Sequence, residues 1–301
     1  MHIDELKQKK NLSIKDFKLI ALDIDGTLMN NDYELTERTR KALKKAMDLG
    51  LKVTIATGRY YPSTRRIARS IPINAPIVTN DGALIKDVFT NETILEKPLP
   101  LETAYEILEL AASFPSFKIQ IFMNETKIYV GVNNKIMQFH RLLNFCRRHP
   151  IKNSINFLRD FIFIPSQNVI NIDGAKRAMK QSPAKIVIYG DDGELKEFKN
   201  ELIKRYKNSI FLTSAIPRCV DVLNGEISKA KGLEVLAKLL GIKREEIIAV
   251  GDNFNDMEML KFAGLGVAMG NAPDMVKQTA DLVTDSNDQD GVAKLIEIML
   301  P

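Results

Sequence analysis

Asp23 and Asp25 stand one residue apart at the end of an apolar run, Leu19-Ile20-Ala21-Leu22, and Gly26-Thr27-Leu28 follows them. Successive side chains on a strand point to opposite faces, so carboxylates at this spacing diverge while the strand continues. If the strand ends at Asp23, a turn begun by Gly26 brings Asp25 back toward the same pocket. Two carboxylates beside a glycine turn suit a hard cation and an anionic substrate. They also suit a division of labour between a nucleophile and a proton carrier.

Such residues need a scaffold. The pattern predicts buried strands at 18–23, 52–57 and 76–80, with helices at 36–49 and 62–70 between them. Thr36 can cap the first helix, Gly50 ends it, and Pro62 sits in the first turn of the second. Alternation of this kind indicates right-handed βαβ units and a parallel sheet. From about 84 to 214 the strands crowd together. Residues 118–124 and 126–132 read as a hairpin across Asn124-Glu125, and helices are expected at 101–113, 135–149 and 194–206. After Cys219 the first rhythm returns, with helices at 229–240, 255–261 and 291–300 and strands at 247–251, 265–269 and 280–283. The expected architecture is α/β: a Rossmann-like parallel-sheet core from 18–83 and 215–301, an inserted α+β cap over 84–214, and a polar leader over 1–17. At 301 residues, roughly two domains are expected.

An open parallel sheet binds ligands beyond the carboxyl ends of its strands. The residues expected there form a coherent set: Asp23 and Asp25, then Thr57-Gly58-Arg59, then Asn80-Asp81-Gly82, then Asp252-Asn253-Phe254-Asn255-Asp256. Lys229 opens the helix that leads into the last of these strands. Each type has a task in phosphoryl transfer. Asp23 and Asp252 can hold a divalent cation, and magnesium favours few carboxylates plus waters and phosphate oxygens. Asp23 can attack phosphorus and become an aspartyl-phosphate. Thr57 and Lys229 can bind the remaining phosphoryl oxygens. Asp25 can protonate the leaving oxygen and later accept a proton from water. Neighbouring carboxylates would raise its pKa for the first of these tasks.

Composition narrows the field. Hydrophobic residues make up 45% and charged residues 27%, ordinary for a soluble globular chain. No apolar run reaches the roughly 18 to 20 residues of a membrane span, and the N-terminus lacks a signal-peptide core. Cys146 and Cys219 are far apart and belong to no Cys/His cluster. That argues against structural zinc or a disulfide framework and makes a reducing cytoplasm the expected compartment. A net charge of +5, from 43 basic and 38 acidic residues, is mild. Trp is absent, which leaves little support for a base-stacking surface. His2, His140 and His149 are scattered and expected on the surface or in packing. Met123, Met137 and Met179, with the Phe residues at 114, 117, 122, 157, 161 and 163, are expected in the cap core.

Four segments carry a family resemblance. Asp23-Ile24-Asp25-Gly26-Thr27-Leu28 resembles the signature of the haloacid dehalogenase-like superfamily. Thr57-Gly58-Arg59, Lys229 before Gly232, and Gly251-Asp252-Asn253-Phe254-Asn255-Asp256 resemble its second, third and fourth motifs. Lys231 is an alternative to Lys229, whose spacing to Gly232 fits better. The tail Gly266-Val267-Ala268-Met269-Gly270-Asn271-Ala272, followed by Asp290-Gly291-Val292-Ala293, is similar to Cof-type phosphatases of subclass IIB. The resemblance implies a phosphatase acting through an aspartyl-phosphate, with Mg2+ as cofactor. It implies metal ligation by Asp23, the backbone carbonyl of Asp25, and Asp252. Asp256 would orient the metal waters, and Asn255, with Thr57, Gly58 and Lys229, would reach the phosphate. The family often has Asn-Gly-Ala where this chain has Asp81-Gly82-Ala83.

The expected partner is a small phosphorylated metabolite, sugar phosphates first and phosphorylated cofactors such as flavin mononucleotide or pyridoxal phosphate next. The cap is expected to close over the core and set specificity. Neither nucleic acid nor membrane is an expected partner, and the chain is expected to be a monomer or homodimer. Two rivals stay open. A phosphomutase or phosphotransferase resolves the same intermediate with a sugar hydroxyl. A signalling receiver also uses Asp, Thr or Ser, Lys and magnesium, but needs neither Asp25 nor a large cap.

Overall fold

The computed structural model describes Ile3 and residues 13–131, 165–214 and 218–300. The chain runs β1 (Leu19–Leu22), α1 (Glu37–Asp48), β2 (Lys52–Ile55), α2 (Tyr61–Ala68), β3 (Ile77–Thr79), β4 (Leu84–Lys86) and β5 (Thr93–Glu96). Then follow α3 (Leu101–Ala111), β6 (Lys118–Phe122), β7 (Lys127–Val130), β8 (Ser166–Val169), α4 (Ile172–Ala178), β9 (Lys185–Tyr189), α5 (Asp192–Tyr206), β10 (Ile210–Thr213) and β11 (Cys219–Asn224). The last stretch holds α6 (Lys229–Leu239), β12 (Ile247–Gly251), α7 (Met257–Phe262), β13 (Leu265–Ala268), α8 (Asp274–Thr279), β14 (Leu282–Val283) and α9 (Gly291–Met299).

Two compact units result. The first takes the described residues up to Arg59, Arg65–Leu95, and those from Ser228 on. Its parallel sheet has the order β14-β13-β12-β1-β2, and a parallel bridge from Ala56 to Val78 sets β3 beside β2. β1 is buried along its whole length, as a strand covered on both faces must be. Burying each of its Leu and Ile side chains is worth about 2 kcal/mol. The register of β1 on β12, Leu22 opposite Val250, brings two strand ends level and sets the residues after them side by side. Thr36 caps α1 by accepting from the Thr39 amide, as expected.

The second unit takes Tyr60–Thr64 and Glu96–Ile227. Its sheet has the order β10-β11-β9-β6-β7-β8, antiparallel except for β7 with β8. The hairpin expected across Asn124-Glu125 joins β6 to β7, closed by the Met123 amide on the Thr126 carbonyl. One sheet face packs Ile121, Ile188 and Val222 against Leu108, Phe198 and Leu202. Met123 and Met179 lie in this core, and Phe114 and Phe117 pack against it. Phe122 instead joins Tyr60, Val187 and Cys219 in a separate cluster.

The breaks between units differ from the expected 84 and 214. β4 stays with the first unit because it pairs antiparallel with β3, Val78 opposite Ile85. β11 belongs to the second because it is hydrogen-bonded between β9 and β10. Of the leader expected over 1–17, Ile3 and Ile14 are buried and Ser13 caps the turn Ile14–Asp16. The helix expected at 135–149, with His2, Met137, His140, Cys146, His149, Phe157, Phe161 and Phe163, lies outside the described residues. Among the described residues, no helix is long and apolar enough to cross a membrane.

Candidate active site

The β1 strand stops at Leu22, and the chain folds back at once. The Ile24 carbonyl accepts from the Thr27 and Met29 amides, at 3.4 and 3.0 Å. Gly26 turns the backbone with φ at 77°. A Cβ there would come within 2.3 Å of Asp252 Oδ2, so the turn demands glycine both for its φ and for room. The next residue, Thr27, donates its hydroxyl to Asp252 Oδ1 at 2.9 Å. The loops after β1 and β12 are thereby tied through side chains as well as through strand register.

Lys229 lies at the first position of α6, behind a Ser228 cap that accepts from the Lys231 amide. Its ammonium is fully buried and donates to Asp23 Oδ1 at 2.8 Å and to Asp256 Oδ1 at 2.5 Å. Asp256 uses its other oxygen to accept from the Asp252 and Asn253 amides, at 3.0 and 2.9 Å. It therefore braces the β12 loop and Lys229 together. Lys231 is exposed.

Asp23, Asp252 and Asp256 each offer one oxygen, all within 4.8 Å of one another. Burial pushes the Asp23 carboxyl well above its usual range; Lys229 opposes this, and the charges of Asp256, Asp252 and Asp25 add to it. Asp252 is pushed up to about 7, by burial first and then by Asp256. The Lys229 ammonium is held charged by Asp23 and Asp256 against its own desolvation. One buried ammonium among three carboxylates leaves an excess of negative charge. An all-oxygen donor set with that excess fits a hard divalent cation.

The β2 and β3 loops complete the rim. Thr57 is buried, donates its amide to the Val78 carbonyl, and accepts from the Arg59 amide on Oγ1 at 3.2 Å. Asp81 donates its amide to the Thr57 carbonyl. A Cβ on Gly58 would stand 2.7 Å from Asp81 Oδ1. Asn80 and Asp81 both hold left-handed backbone, with φ at 50° and 54°. Such conformations cost energy outside glycine and concentrate at functional sites. Asp81 Oδ1 accepts from the Asn255 side-chain Nδ2 at 2.8 Å. Arg59 grips Asp25 with both arms of its guanidinium, each at 2.5 Å.

The residues singled out in the sequence are thus placed on adjoining loops of the first unit. Asp23, Lys229, Asp252 and Asp256 form one cluster, and Asp25 leans on Arg59. Gly58 and Asn255 both meet Asp81. Among the contacts that sequence reasoning missed are Thr27 to Asp252, Asp81 to Asn255, Arg59 to Asp25, and the Asn271 side-chain amide donating to the Gly26 carbonyl at 2.9 Å. The last gives the tail motif a structural task. Asn287 donates its backbone amide to Asn271 and its side chain to the Met29 carbonyl, so the tail clasps the loop after β1. The run from Gly266 to Ala272 carried the signal, but its partner was not legible.

Strand ends that gather carboxylates around a buried ammonium, on a parallel α/β sheet, define a class of enzyme that handles phosphoryl groups. The model of the haloacid dehalogenase-like hydrolases matches residues 20–296. The chain belongs to that family and is a phosphoric monoester hydrolase. It is similar to the 5-amino-6-(5-phospho-D-ribitylamino)uracil phosphatase YcsE of Bacillus subtilis, 31% identical over 93% of this chain and 95% of the relative. It is also 31% identical to the phosphatase YwpJ of the same organism, over 94% of this chain and 100% of that one. A solved haloacid dehalogenase-like hydrolase from B. subtilis superposes with a TM-score of 0.81 at 27% identity, covering 94% of this chain and 100% of the other.

Proposed function

We propose that the chain is a Mg2+-dependent phosphatase of small phosphorylated metabolites that works through an aspartyl-phosphate on Asp23. The observation that carries this reading is the pair of hydrogen bonds that Lys229 donates to Asp23 and Asp256, beside Asp252. Asp23, the backbone carbonyl of Asp25, and Asp252 would hold Mg2+, which supplies charge neutralisation between an anionic nucleophile and an anionic phosphate.

Asp23 attacks phosphorus as the bond from phosphorus to the leaving oxygen breaks. Lys229 acts on Asp23 against the effect of burial and favours the carboxylate that must attack. Asp25 gives its proton to the leaving oxygen. Water then attacks phosphorus, Asp25 takes its proton, and the Asp23 carboxylate is released with inorganic phosphate. The Thr57 hydroxyl, the Gly58 amide, Asn255 and Lys229 bind phosphoryl oxygens and stabilise the charge that develops there. Asp256 keeps Lys229 aimed while sparing it a second unpaired position.

Sugar phosphates are the leading substrate class, followed by phosphorylated cofactors such as flavin mononucleotide and pyridoxal phosphate. The name of the YcsE relative adds a phosphorylated ribitylaminouracil to the candidates. The test is phosphate release from a panel of these esters, with and without an acceptor sugar, in Mg2+ and in chelator. Release to water that stops in chelator and returns with Mg2+ is expected. Transfer to sugar without release, or turnover indifferent to chelator, contradicts the reading.

A further inference from the structure

We propose that Arg59 is the positioning residue of Asp25, gripping both oxygens of its ionised carboxylate and keeping hold of one while the other carries the proton; this rests on the reading of Asp25 as the proton carrier. The two partners are unequal. The Arg59 side chain is 7% exposed, whereas that of Asp25 is 47% exposed. The buried partner is the fixed one. Its backbone is anchored at both polar groups, the amide on Thr57 Oγ1 and the carbonyl under the Asn80 amide. Arg59 thus reaches Asp25 from the same loop that presents Thr57 to the phosphoryl group. Nε meets one carboxylate oxygen and a terminal nitrogen the other. A two-point fork fixes the plane of a carboxylate, which a single ammonium cannot do.

Among the described residues, Asp25 has no comparable support of its own. It follows the end of β1 on a turning loop, where its backbone bridges to Met29. Tyr33, farther along that loop, feels the same pair: burial pushes its phenol up, and the charge of Asp25 adds to the shift. Proton transfer in the transition state depends on aim, and a small misplacement can cost about 100-fold. The cost should fall on leaving groups that need a proton, and only through Asp25.

The experiment is a double-mutant cycle of Asp25→Asn and Arg59→Gln, with kcat and KM measured on a sugar phosphate and on p-nitrophenyl phosphate. Arg59→Gln should lower kcat on the sugar phosphate roughly 10- to 100-fold while changing KM less than about threefold. The loss on p-nitrophenyl phosphate, whose leaving group needs little protonation, should stay within about threefold. Added to Asp25→Asn, the Arg59 change should cost less than about twofold more. Arg59→Lys keeps the charge without the fork; it should show the same selective loss and serves if the Gln variant does not fold. Full additivity of the two changes, or equal losses on both esters, overturns the assignment and leaves the role of Asp25 standing. If Asp25→Asn alone spares the sugar phosphate, the proton-carrier reading falls, and this inference falls with it.

Discussion

At the scale of single residues, the site is a contest between burial and charge. Asp252 shows it most plainly, pushed up to about 7 by desolvation and by Asp256. An unfolded aspartate titrates near 4. Between roughly pH 4 and 7 the metal-free folded chain therefore keeps a proton that the unfolded chain has lost. Stability rises with pH only where the unfolded state binds more protons, so here it must fall as pH climbs through that window. Asp23 is shifted in the same direction and adds to the slope. In chelator, the melting temperature should be higher near pH 5 than near pH 8, and Asp252→Asn should flatten the difference. A metal-free protein that is equally or more stable near pH 8 would contradict this account of the cluster. Added Mg2+ should raise the melting temperature more near pH 8, where the carboxylates are ionised.

At the scale of elements, the site depends on turns more than on the strands that precede them. Gly26 sits against Asp252, and Gly82, with φ at 103°, leaves room for the Ser228 carbonyl at the start of α6; a Cβ there would come within 2.2 Å of it. One substitution at Gly26 should disturb two loops at once. Gly26→Ala is expected to cost about 1–3 kcal/mol in stability, from strain at its positive φ. By displacing Asp252 it should also raise the Mg2+ concentration needed for half-maximal activity roughly 10- to 100-fold. Thermal unfolding and a Mg2+ titration of turnover measure the two effects. An unchanged Mg2+ midpoint would mean that the close approach to Asp252 has no bearing on the metal site.

At the scale of the molecule, residues as far apart as Asp23 and Asp256 meet because β1 and β12 are neighbours in one parallel sheet. Much of this was legible. Buried apolar runs ending in Asp, Thr or Asn marked the strand ends, and the rule for open parallel sheets converted them into a crevice. The breaks between units were less legible for a physical reason. β11, with the sequence Cys219-Val220-Asp221-Val222-Leu223-Asn224, reads as an apolar strand whichever sheet receives it. Its buried Asp221 finds Lys185 of β9 at 2.6 Å, a pairing no local pattern announces. The grip of Arg59 on Asp25 was equally hidden, because an arginine after a glycine serves a core ion pair or a ligand with the same local sequence. Spacing reveals which residues end a strand, but partners across loops come only from the fold.

The central claim is that Asp23 makes the bond to phosphorus. Its most direct test is the Asp23→Asn variant, which keeps shape and hydrogen-bonding reach but removes the attacking carboxylate. With p-nitrophenyl phosphate and saturating Mg2+, turnover should fall by at least about 1,000-fold, with a native circular dichroism spectrum. A folded Asp23→Asn protein that retains turnover within tenfold of the parent would show that another group attacks the phosphate.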